Sequence, residues 1–139
     1  MLTALEPMAA ELVAIKRLPA ADLLPLTVAS RDMTSALQAN ALDAWARADE
    51  RFHQHLIKLA GNRLLADTVR RCWDRAHHAR MVALRLRAKP VNSTREHNAI
   101  VAAIRAGDPK ETARLYRLHR ERGSKELLAI IEKARISGL

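Results

Sequence analysis

Apolar residues recur three and four positions apart along most of the chain, and nowhere do they alternate singly with polar residues. The pattern predicts helices and no sheet. Proline, glycine and capping residues divide it into six segments. The first helix covers roughly residues 3–17 and stops before Pro19. The second covers roughly 20–38, with Pro25 expected to bend its early part. Asn40, with Asp43 three residues on, reads as a capping pair for a third helix that ends at Gly61. Asn62 reads as the cap of a long fourth helix that runs to about Lys89 and is stopped by Pro90. The run STRE, Ser93 to Glu96, reads as a capping box for a fifth helix ending at Gly107. Asp108, Pro109 and Glu111 then open the sixth. Short turns between such helices predict an all-α, antiparallel bundle of about six helices, folded as one domain over residues 1–139.

One charge breaks the pattern. In WARADERFHQHLIKLAG, at about 100° per residue, Leu42, Trp45, Phe52 and Leu56 all fall within about 60° of Asp49. His53 lies one turn above Asp49 on the same side. Glu50, Arg51, Gln54, His55 and Lys58 form the outer face. A buried carboxylate without a partner costs several kcal/mol or is forced to protonate, so Asp49 requires company inside the bundle. The same projection centres His97 in the stripe of Ile100, Val101 and Ile104. It puts His119 on the face of Leu115, Tyr116 and Ile130, with Gly123 leaving space one turn on. Arg80 and Arg87 fall inside the stripe that Val69, Cys72, Trp73 and Ala83 form on the fourth helix. His55 and His78 project outward, and His77 sits at a border.

Any one of these histidines would ordinarily be a hydrogen-bonded core residue. Three imidazoles and a carboxylate in one small bundle need something that satisfies them together, and a divalent metal does so. Asp49 and His53, four residues apart, project from adjacent turns in chelate geometry. The expected ligands are therefore Asp49, His53, His97 and His119. This N₃O set suits Zn²⁺ or Ni²⁺, with Mn²⁺ or Fe²⁺ as further candidates. Arg80 and Arg87 are the expected anion-binding residues, since a guanidinium fork grips a carboxylate in bidentate fashion. An internal salt bridge is the competing explanation for each.

Composition limits the alternatives. The chain carries 24 basic and 15 acidic residues, a formal net charge of +9, which attracts small anions or nucleic acid. Its four aromatic residues supply no basic and aromatic interleaving for stacking on single strands. No apolar run is long enough to span a bilayer, and the acids Glu6 and Glu11 make the start unlike a signal peptide. The single cysteine, Cys72, forms no internal disulfide, fits a reducing cytoplasm, and is expected to be a small core residue. A helical-bundle metalloenzyme is the competing function. Di-iron chemistry needs two Glu-x-x-His motifs, and only ERFH is present, with Glu50 pointing outward. A hydrolytic site needs a general base, for which Glu126 is the candidate. No catalytic residue is expected.

The runs DERFHQHLIKLAGNRLL and EHNAIVAAIRAGD, followed by a histidine in the next helix, resemble the FCD effector domain of GntR-type transcription regulators. The matching residues are Asp49, Phe52-His53, Glu96-His97, Gly107-Asp108 and His119, and ALEPMAAELVA resembles the first effector helix. The resemblance covers nearly the whole chain. It implies a helical bundle that binds a divalent metal through the acid and three histidines, a small organic acid effector beside the metal, and a homodimer. It further implies that DNA is engaged only through a winged helix-turn-helix domain, which is expected to be absent from this chain. The function implied is organic acid sensing, not catalysis.

Overall fold

The computed structural model describes residues 2–138. They form six helices: α1 (Leu2–Lys16), α2 (Ala20–Gln38), α3 (Leu42–Ala60), α4 (Arg63–Leu86), α5 (Val91–Arg105) and α6 (Pro109–Ile136). Among the described residues there is no strand, and no helix is long and apolar enough to cross a membrane. The chain is an all-α helical bundle, as its periodicity predicts.

The first helix is the axis. It packs against α3, α4, α5 and α6, whereas α2 lies outside and covers α3 and α5. Ala9, Ala10, Val13 and Ala14 are fully buried on α1, and such small side chains let several helices approach one backbone. The core continues through Leu26, Met33, Phe52, Leu56, Ile57, Val69, Ile100 and Tyr116. A buried polar chain joins α3 to α5: the Trp45 indole donates to Thr94 Oγ1 at 2.9 Å, and Thr94 donates to the Pro90 carbonyl at 2.7 Å.

Two helix starts differ from expectation. Asn40 does not cap α3; it closes α2. Its backbone is left-handed at φ +56°, and its N–H and that of Ala41 bond to the Leu37 and Ala36 carbonyls at 3.1 and 2.9 Å. That is a Schellman termination, which asparagine tolerates, so the polar signal belonged to the preceding helix. Ser93 likewise caps nothing. The fifth helix begins earlier, at Val91 behind Pro90, and Ser93 and Thr94 are buried inside it. Elsewhere the reading holds. Asn62 accepts from the Leu65 N–H at 2.9 Å, Asp108 accepts from Glu111 N–H at 3.1 Å, and Gly61 and Gly107 take the left-handed conformation after α3 and α5. The fourth helix ends at Leu86, slightly short of Lys89, and α2 continues through Pro25 to Gln38. Cys72 is half-buried and lies outside the closed core.

Candidate metal centre

Helices α3, α5 and α6 bring His53, His97 and His119 to one point, each buried, with one nitrogen from each lying within 4.8 Å of the others. Three buried imidazoles in this arrangement could hold a metal ion. The hydrogen bonds on the far side of each ring specify which nitrogen faces inward. His97 Nδ1 lies 2.7 Å from the Ser93 carbonyl, which only accepts, so the proton sits on Nδ1. His119 Nδ1 lies 2.7 Å from Glu96 Oε1, again an acceptor. His53 Nδ1 lies 3.0 Å from Glu6 Oε1 and 2.7 Å from the Tyr116 hydroxyl. Each ring thus has an acceptor at Nδ1, which would keep a proton there and leave Nε2 to donate its lone pair when a metal takes the place of the proton shared with Asp49. An outer shell of carboxylates and carbonyls oriented in this way is the usual support of metal-bound histidine. The donors present thus fit a divalent ion.

Asp49 joins two of the three rings. Its Oδ1 lies 3.0 Å from His53 Nε2 and 3.1 Å from His97 Nε2, and those two nitrogens are 3.4 Å apart. Burial pushes the Asp49 carboxyl up, but the charge and hydrogen bond of His53, then of His97, hold it well below the usual carboxylate range. Burial pushes the His53 imidazole down. The flanking carboxylates of Asp49 and Glu6 outweigh burial and raise it. His119 is brought down to about 4 by its burial and by the neighbouring His97, so it is a neutral ring at pH 7. Its partner Glu96 is pushed up by burial but held at about 2 by hydrogen bonds from His119 and Arg122.

Beside this cluster a cavity of about 360 Å³ opens between α3, α4 and α6. Asp49, His53 and His119 line it, with Arg80, Arg87, Arg120 and Arg122 around them and an apolar wall of Trp45, Met81, Leu84, Leu127 and Ile130. His97 lies behind, fully buried. Each arginine meets an internal carboxylate. Arg80 Nη2 lies 3.4 Å from Asp49 Oδ2, with the guanidinium over the Trp73 ring at 5.3 Å. Arg87 Nε lies 3.6 Å from Glu126 Oε1 and stacks over Trp45. Arg122 grips Glu96 with Nε and Nη2 and donates to Glu126 from Nη1. Arg120 Nε lies 2.9 Å from Glu6 Oε2.

The structure thus gathers Asp49, His53, His97, His119, Arg80 and Arg87 at one centre and its adjoining cavity. His55 is half-exposed, His77 and His78 are exposed, and Gly123 lies on the cavity wall with no atom within 4 Å of where a Cβ would stand. Sequence reasoning missed the outer shell. Glu6 is fully buried between His53, Tyr116 and Arg120, yet it first read only as an acid near the start of the chain. Its helical phase carried a signal, since Ala9, Ala10 and Val13 fall within about 60° of it. Glu96 read as half of a capping box and instead orients His119.

Comparison of the sequence with curated proteins returns no match. A family model for the FCD domain matches residues 1–122, from α1 through the helix that carries His119. The chain therefore belongs to the FCD family, the effector-binding domain of GntR-family regulators.

Proposed function

We propose that this chain senses a small organic acid through a divalent metal held by Asp49, His53, His97 and His119. A winged-helix domain outside this chain would convert acid binding into altered DNA affinity, in a cytoplasmic homodimer. The observation that carries this reading is the convergence of three buried imidazoles beside the Asp49 carboxylate, each with an acceptor at its Nδ1. Zn²⁺ and Ni²⁺ suit that donor set best, with Mn²⁺ and Fe²⁺ as further candidates. The ion would supply positive charge and an open coordination position for the acid.

The cavity supports an acid as the ligand. Arg80 holds Asp49 only at 3.4 Å, long for a hydrogen bond, and its guanidinium lines the cavity. A second carboxylate or a hydroxyl on the ligand would find its fork, with Arg87 next to it. The metalloenzyme reading is weaker. Glu126, its candidate base, is engaged by Arg122 and Arg87. Metal analysis of the purified protein, followed by calorimetric titration with mono-, di- and hydroxycarboxylic acids, tests the reading. Metal-bearing protein that binds none of these acids would overturn the sensing function.

A further inference from the structure

We propose that Glu6 is a positioning residue of this centre, fixing the ring of His53 and so linking α1 to the occupancy of the site. The inference rests on the metal reading above. Glu6 is fully buried on α1, and a carboxylate there is tolerated only with partners that satisfy both oxygens. One oxygen, Oε1, lies 3.0 Å from His53 Nδ1 on α3 and 3.3 Å from the Tyr116 hydroxyl on α6. The other, Oε2, lies 2.9 Å from Arg120 Nε, a charge contact without hydrogen-bond geometry.

Three consequences follow from this placement. Carboxylates face both nitrogens of His53, Glu6 at Nδ1 and Asp49 at Nε2, so once a metal takes Nε2 the Glu6 carboxylate keeps the remaining proton on Nδ1 and fixes the ring. The same carboxylate holds Arg120, whose side chain lines the cavity, so one residue steadies both a ligand ring and a cavity cation. Glu6 is also a side chain by which α1 touches the cluster, through His53. Because coupling is reciprocal, whatever fixes His53 also stiffens α1, and a disturbed α1 loosens His53. Tyr116 reaches the same Nδ1 at 2.7 Å, so its hydroxyl is the alternative partner of His53 when Glu6 is altered.

Zinc ion is the probe, competed against a chromophoric chelator, with circular dichroism to establish that each variant keeps its helices. Glu6→Gln is expected to weaken zinc binding about ten- to hundredfold, the usual cost of losing an outer-shell partner. In the zinc-loaded wild type, ¹⁵N spectra are expected to show His53 protonated at Nδ1, and zinc is expected to slow amide exchange in residues 2–16 more than in 20–38. The second comparison needs no variant and stands if Glu6→Gln fails to fold. Wild-type protein that takes up no zinc overturns the metal reading and this inference together. Zinc uptake by wild type that is matched within about threefold by folded Glu6→Gln, or an α1 whose exchange is indifferent to zinc, overturns this inference alone.

Discussion

His119 donates from Nδ1 to Glu96 at 2.7 Å, and the same carboxylate is gripped from its other side by Arg122. Glu96 thus orients the ring from a neighbouring helix and is itself held in place. Its carboxyl is at about 2 in the folded chain, against an ordinary value of 4.5. A depressed carboxylate stabilises the fold fully above its unfolded value, and the contribution fades as pH falls through 4.5 toward 2. After discounting for partial exposure, this amounts to about 1–2 kcal/mol. Denaturant titrations of metal-free wild type and Glu96→Gln are expected to differ by that amount at pH 6, to draw together as pH falls below 4.5, and to converge only near pH 2. A difference that is constant with pH would mean that Glu96 acts by shape alone.

Metal occupancy is expected to be visible as stability. Zn²⁺ or Ni²⁺ at a hundredfold excess over Kd should add about 2.7 kcal/mol and raise the melting temperature by roughly 8–10 °C. Chelation should reverse the shift. Purified protein with no divalent metal, and no thermal response to either ion, would remove the centre from consideration.

His53 and His55 separate ligation from surface charge. His53 has contacts on both ring nitrogens within the cluster, while His55 is half-exposed on the far side of the helix. His53→Ala is expected to abolish tight metal binding and His55→Ala to leave it within about twofold, because a residue outside the donor set contributes little. Equal losses in a chelator competition would contradict the assigned ligand set.

Acid specificity is expected to follow Arg80. Arg80→Met keeps the apolar stem over Trp73 and removes the charge and the fork. Affinity for a dicarboxylate should fall by about ten- to hundredfold, the value of roughly 1.5–3 kcal/mol for a charge-assisted pair, while metal affinity survives. Arg80→Lys should recover only part of the loss. Calorimetry showing wild-type affinity in Arg80→Met would make Arg80 an internal partner of Asp49 and nothing more.

Gly123 offers a test on stability alone. It lies inside α6 with open space where a Cβ would stand. Gly123→Ala is expected to stabilise the fold by up to about 1 kcal/mol, since glycine in a helix interior gives up that much to backbone entropy. A lower denaturation midpoint in the variant would show that the turn needs its glycine.

The helices and the inward-facing cluster were legible because each signal was periodic and local. Asp49 and His97 stood at the centre of apolar stripes, with His53 and His119 on apolar faces beside them, where a polar residue is costly enough to demand an explanation. The capping signals at Asn40 and Ser93 failed because the same residue types end helices, or fit inside them, once neighbouring helices supply partners. Arg120 and Arg122 could not be assigned from phase, since their roles depend on which helix lies opposite. Glu6 was legible in principle. The stripe that Ala9, Ala10 and Val13 form around it is made of small residues, and it drew less notice than one built from leucine and phenylalanine.

That stripe has a mechanical consequence. Ala9, Ala10 and Ala14 have no χ angles, so at this face α1 itself has no side-chain rotamer with which to take up a displacement. A small movement at Glu6 would be carried along this helix toward Lys16, whose ammonium donates to the Leu59 carbonyl at 2.8 Å near the end of α3. On its alanine face the axis of the bundle is a stiff shaft, because there it has no side chain to bend.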